Sequence, residues 1–158
     1  QKFQKQMKSR MKMSLYMGAK LPLGLFAGLR IDDLDETGCS VSVPYGWRSQ
    51  NPFRSIYFAA QCMAAEMSTG ALAMLAIKSS KESVAMLITS MQAEFVKKGN
   101  KRTTFRCNAG PEFFQAVSDT IADGEPRIVT AQVQGQMPDG TVVSKFEFTW
   151  SLKARAKG

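Results

Sequence analysis

The sequence contains no histidine. That excludes every mechanism built on an imidazole: Ser-His-Asp and Cys-His hydrolysis, His-ligated zinc, and the histidine-dependent acyl dehydratases and hydratases. Catalysis in such a chain has to run on carboxylates, backbone amides, hydroxyls, thiols or lysine. Cysteine is scarce as well. Cys39, Cys62 and Cys107 are odd in number and form no CxxC pair, which argues against a disulfide framework and for a reducing, cytoplasmic compartment. They read as small apolar core residues, and no metal site is expected. No apolar run precedes a small-residue cleavage site near the start, so no signal peptide is read. Linker-like stretches, low-complexity runs and internal repeats are also missing.

What is present suits one globular domain: 158 residues, 44% hydrophobic and 22% charged. The formal charge is +8, and its location matters more than its size. Lys2, Lys5, Lys8, Arg10, Lys12 and Lys20 fall in the first 20 residues with no acid among them. Phe3, Met7, Met11 and Leu15 recur at four-residue spacing, an apolar stripe on a helix. Residues 1–20 are therefore expected to form a basic amphipathic helix, and 21–158 a single domain. The plainer expectation packs that helix over the domain with its lysines in solvent. Contact of residues 2–20 with an anionic membrane is the lesser alternative, and no nucleic-acid partner is expected. A second basic cluster, Lys97, Lys98, Lys101, Arg102 and Arg106, could meet a phosphorylated ligand or simply form a solvated turn.

Residues 21–28 read as an apolar connection, and 30–34 as a short strand. A turn at 35–38 leads into a half-buried strand over 39–45. Residues 53–77 are rich in Ala, Met and Leu and read as one long helix. Glu66 is the sole charge between Ser55 and Ile77. A helix apolar on nearly every face is a buried helix. Its length also invites a membrane-spanning reading, against which Gln61, Glu66, Ser68 and Thr69 speak. Strands are read at 84–89, 91–97 and 102–107, the last two joined by a hairpin at Gly99 and Asn100. A short helix at 111–122 follows, then strands at 128–136 and 142–152 around the turn Pro138-Asp139-Gly140. One helix that is apolar all round needs a sheet curled around it. The expected class is α+β, an antiparallel sheet wrapped around a long central helix, with an extra N-terminal helix.

Residues 51–66 read NPFRSIYFAAQCMAAE. Together with the element order, this stretch resembles the hotdog-fold thioesterases similar to the phenylacetate-pathway enzyme. Those proteins carry an Asn, a His-Gly-Gly six to eight residues on, and an acid fifteen residues after the Asn. Asn51 and Glu66 match the outer positions, and Tyr57, Phe58 and Ala59 occupy the His-Gly-Gly positions. The pattern looks closer still to a hotdog branch with an Asn-Pro…Tyr…Glu motif. The resemblance implies an acyl-CoA or acyl-carrier thioester as substrate, coenzyme A entering only as part of it, and no other cofactor. It implies Glu66 as the carboxylate that activates water or attacks the thioester, with Asn51 orienting water or carbonyl. Tyr57 and the backbone amides of Phe58 and Ala59 would bind the substrate oxygen, and Lys97, Lys98, Lys101 or Arg102 the CoA phosphates. It further implies a homodimer or a dimer of dimers. Each residue also has a structural reading: Glu66 paired with an arginine of the same or a neighbouring subunit such as Arg48 or Arg54, Asn51 as a turn starter, Tyr57 as a core or interface residue. A non-catalytic acyl-binding module of the same fold is the alternative function.

Overall fold

The computed structural model describes residues 10–155, and its order is α1 (Arg10–Lys20), α2 (Pro22–Ala27), β1 (Arg30–Leu34), β2 (Cys39–Val43), α3 (Phe58–Ser80), β3 (Val84–Phe95), β4 (Thr103–Cys107), α4 (Gly110–Asp123), β5 (Arg127–Gln136) and β6 (Val142–Ala154). The six strands form one antiparallel sheet in the order β1-β2-β4-β5-β6-β3. The sheet curls around α3, which touches all six strands, and α4 packs against α3, β5 and β6. This is the hotdog arrangement.

Alternation drives the curl. Val129, Ala131 and Val133 of β5 and Phe146, Phe148, Trp150 and Leu152 of β6 point inward onto α3. Polar residues at the intervening positions face outward, so each strand buries one face. Ala64, Ala65, Gly70, Ala71 and Ala73 keep α3 slim enough for the sheet to close on it, and all are buried. The one long apolar helix of the described residues is thus the core of the domain, with 72% of its most apolar stretch buried.

Several sequence expectations are corrected. Residues 22–27 are a helix rather than a plain connection, started by Pro22 and stopped by Gly28 at φ 80°. The two strands expected over 84–97 are one, β3, with a register shift between Ile88 and Ser90. The hairpin expected at Gly99-Asn100 is absent, because β3 pairs with β6 and β4 pairs with β2 and β5. Instead Gly99 is buried, and its carbonyl accepts a hydrogen bond from Ile56 N at 2.7 Å. Residues 96–102 are a crossover that packs on the segment before α3. Val143 is buried beside Ser144 at a register shift between Gly135 and Gln136, where the inward–outward alternation of β6 breaks.

Phe3 and Met7, with Lys2, Lys5 and Lys8, lie outside the described residues. Of the expected apolar stripe, Met11 and Leu15 are exposed, and α1 instead buries Met17.

Candidate active site

The helix expected from residue 53 starts at Phe58, and Asn51 is the reason. Its Oδ1 accepts hydrogen bonds from Phe53 N at 3.0 Å, Ser55 N at 3.2 Å and Ser55 Oγ at 3.2 Å. The Asn-Pro turn so formed holds Arg54 in the left-handed region at φ 59°, which no helix tolerates. The carboxamide oxygen of Asn51 is therefore spent on its own loop. Its amide group has no partner among the described residues and is what the side chain can offer a ligand.

Tyr57 precedes α3 with no side-chain cap. Its carbonyl takes Ala60 N at 3.0 Å and Gln61 N at 3.2 Å. That leaves the N–H groups of Phe58 and Ala59 without partners among the described residues, at the positive end of a 23-residue helix. These donors sit beside a cavity of about 570 Å³ lined by Asn51, Phe53, Tyr57, Phe58, Lys97 and Lys98, with Gln61 at its base. Lys98 Nζ donates to Phe53 O at 3.2 Å across it. Lys101 and Arg102 are engaged elsewhere: Lys101 pairs with Asp139 at 3.3 Å, and Arg102 donates to Ser42 Oγ at 3.1 Å.

Two devices fix the helix start. Rings step inward from Tyr57 to Phe58 (4.9 Å between centroids), Phe95 (6.2 Å), Phe146 (5.8 Å) and Phe105 (5.9 Å), geometries that favour edge-to-face contact. Buried Gln61 donates to Ile56 O at 3.2 Å and accepts from Ser144 Oγ at 2.7 Å, tying the loop to β6.

Glu66 lies two turns further along, in a second cavity of about 230 Å³ with Tyr16, Lys20, Met67, Met74, Met86 and Trp150. Its carboxyl lies over Gly70, where a Cβ would come 3.1 Å from Oε1. No cation among the described residues is within ion-pair distance, so neither Arg48 nor Arg54 of the same copy is its partner. Burial raises its pKa above the ordinary carboxyl value, since desolvation penalises the charged form. Trp150 closes the wall, its Nε1 donating to Thr69 Oγ1 at 2.9 Å.

The structure thus brings Asn51, Tyr57, Phe58, Lys97 and Lys98 to one cavity, with Ala59 beside them on the helix, and places Glu66 in another. Phe58 and Glu66 are eight residues apart on α3, about 12 Å along its axis. Gln61 was missed as a positioning residue, although a lone amide in an otherwise apolar helix start is a readable signal. Tyr16, Met86 and Trp150 come from distant segments and give no local signal. No cluster of metal-ligating side chains occurs among the described residues.

A family model described as "Domain of unknown function (DUF4442)" matches residues 9–152. No curated protein matches the chain. Solved structures do. A Pseudomonas aeruginosa protein of unknown function, described as a probable thioesterase, superposes with a TM-score of 0.78 at 16% identity, covering 93% of this chain and 97% of its own. A Chlorobaculum tepidum protein of unknown function gives 0.77 at 15% identity, with 92% and 94% covered. A Haemophilus influenzae thioesterase gives 0.68 at 12% identity, with 94% and 93% covered. Likeness at these identities establishes the fold.

Proposed function

The chain belongs to the DUF4442 family, and on that premise we propose that it is a thioesterase-like hydrolase of an acyl-CoA or acyl-carrier thioester. The observation that carries the reading is Glu66: a half-buried, desolvated carboxyl with no ionic partner among the described residues, on a helix with no other charge in its first twenty residues. Such a group costs stability and needs a use. A pKa raised by burial suits a general base, which takes a proton from water as the water attacks the thioester carbon. The same carboxylate could instead attack that carbon directly. The carbonyl oxygen becomes an oxyanion, for which the N–H groups of Phe58 and Ala59 are donors; its collapse breaks the C–S bond, and the thiolate leaves with the proton that Glu66 took from water. The Asn51 amide orients the carbonyl or the water, and Lys97 and Lys98 meet the CoA phosphates. The descriptions of the P. aeruginosa and H. influenzae proteins as thioesterases support the class.

One protomer holds these groups too far apart to act on one carbonyl, so the site is shared between two copies. In the first half of α3 the half-buried residues are Ala59, Cys62, Met63 and Glu66, with Met74 and Ile77 further along, spaced as one helix face. Two copies crossing about a two-fold axis near Cys62 would set Glu66 of one beside Phe58 and Ala59 of the other, because an isologous contact pairs positions equidistant from the axis. Strand β3 offers the matching edge. It is 12 residues long, is paired only with β6, and exposes Leu87, Met91 and Phe95. An open apolar edge of that length is a template for a second strand.

An acyl-binding module without turnover is the second reading. It is favoured by the Phe58 side chain, more than half exposed at the cavity mouth. Chromatographic measurement of CoA release from short, long and aromatic acyl-CoA substrates decides between them. Turnover is expected to fall by about 10² or more in Glu66→Gln with folding intact. Turnover that survives removes Glu66 from the mechanism. Retention of acyl-CoA without release selects the binding module.

A further inference from the structure

The apolar stripe of α1 faces away from the domain it was expected to cover. Met11 and Leu15 are 72% and 69% exposed, while Met17 on the other side is buried. Leu21, Leu23 and Phe26, at and within α2, continue the exposed set, and Trp47, at 79% exposed, meets Phe26 edge-on at 6.2 Å. This much large apolar surface in neighbouring segments is unusual on a free protein.

The charge these segments carry has one sign. No acid precedes Asp32 in the sequence, and none lies between residues 37 and 65. Lys12, Lys20 and Arg48 are exposed among these residues. We propose that the α1–α2 hairpin with Trp47 docks on an anionic lipid surface, its apolar side chains entering the interface and its cations meeting the headgroups. A second copy fits this surface poorly, since a two-fold contact would set its cations against themselves. Tyr16, Lys20 and Leu21 of the same hairpin line the cavity that holds Glu66, so docking brings that cavity to the lipid. Such docking is independent of the reaction Glu66 performs.

The test uses the full 158-residue chain and sedimentation with vesicles, either phosphatidylcholine alone or with about 30% phosphatidylserine. Binding to the anionic vesicles is expected to be at least about tenfold tighter, and to weaken about tenfold between 0.1 and 0.5 M salt. The emission of Trp47 should shift to the blue on binding, since the other tryptophan, Trp150, is already buried. The variant Leu15→Ser/Leu23→Ser/Phe26→Ser, altered at exposed sites, should lose binding by about tenfold or more while keeping its fold and oligomeric state. Three results overturn the proposal. One is equal or absent binding to both vesicles. Another is a change of oligomeric state in the triple variant, which gives the surface to a second copy. The third is binding to soluble polyglutamate that survives the triple variant, which gives it to an acidic polypeptide.

Discussion

The two cavities beside α3 are opposites. The one at the helix start is open and presents donors: two free backbone N–H groups, the Asn51 amide and two lysines. The one at Glu66 is lined by methionines, Tyr16, Lys20 and Trp150, and presents a single carboxyl. One suits a negative charge that forms during a reaction; the other raises the proton affinity of a carboxylate that takes up a proton. Two such environments push titration and charge stabilisation in opposite directions, which is how acid–base work is divided in a site. They are also held differently, the first by a hydrogen-bond network through Gln61 and the second by packing. On the proposed reading each cavity is half of a site, completed across a two-fold axis.

The strongest attempt to break this comparison leaves both cavities intact and separates the copies. Leu87→Lys/Met91→Lys puts charge on the exposed edge of β3, where neither side chain lines either cavity. Charged edges block strand pairing. Light scattering should show a monomer, and CoA release should fall by about 10³ or more, because base and oxyanion donors are lost together. A monomer with full turnover would mean that one protomer suffices. The other edge is the control. Strand β1 is five residues long, carries Arg30, Asp32 and Asp33, and shifts register between Ile31 and Asp33, the features of an edge already blunted. Asp32→Lys should change turnover less than about twofold.

The next test separates the backbone donor from the side chain. Proline is tolerated at the first helical position and has no N–H. Phe58 occupies that position, and Tyr57 before it has φ −57° and ψ 135°, which a following proline accepts. Phe58→Pro should lower kcat by about 10²–10³, while Phe58→Ala, which keeps the N–H, should stay within about tenfold. Mixing then sharpens the comparison. Refolding equal amounts of Phe58→Pro and Glu66→Gln makes half the dimers mixed, each with one intact composite site, and restores about a quarter of wild-type turnover. If both halves came from the same copy, mixing would restore none.

The difference in how the cavities are held predicts a stability contrast. Gln61→Ala leaves Ile56 O and Ser144 Oγ without their buried partner, at a cost of about 2–4 kcal/mol. Thr69→Val strands only Trp150 Nε1 and should cost about 1–3 kcal/mol. Urea midpoints measure both. Equal losses would mean that the first cavity owes nothing special to its network.

How much of this was legible depends on the range of the signal. The central helix, the inward faces of β5 and β6 and the isolation of Glu66 come from local periodicity and composition, so the sequence shows them. The start of α3 was misplaced by five residues, because propensity continues through Phe53 while the Asn51 carboxamide imposes a turn. The false hairpin at Gly99 has the same origin: a local turn signal overruled by pairing with β6, some fifty residues away. The separation of Asn51 from Glu66 could not be read at all. A fifteen-residue spacing looks like one motif on paper, yet in a helix it becomes distance. The exposure of Met11 and Leu15 was hidden for another reason. Periodicity reveals an apolar face, not what covers it.

The smallest effect tests the electrostatics of the Glu66 cavity directly. Burial raises the Glu66 pKa in the folded chain above the ordinary 4.5. Below that value both folded and unfolded chains hold the proton, and the group contributes nothing to pH dependence. As pH rises the unfolded chain ionises first, so stability falls until the folded chain ionises too, and it is level thereafter. Glu66→Gln has no proton to lose. The variant should match the wild type near pH 4 and become the more stable of the two as pH rises towards 8, in urea midpoints taken across that range. A difference that stays flat would mean that Glu66 ionises at no cost, and with it would go the contrast between a cavity that welcomes charge and one that resists it.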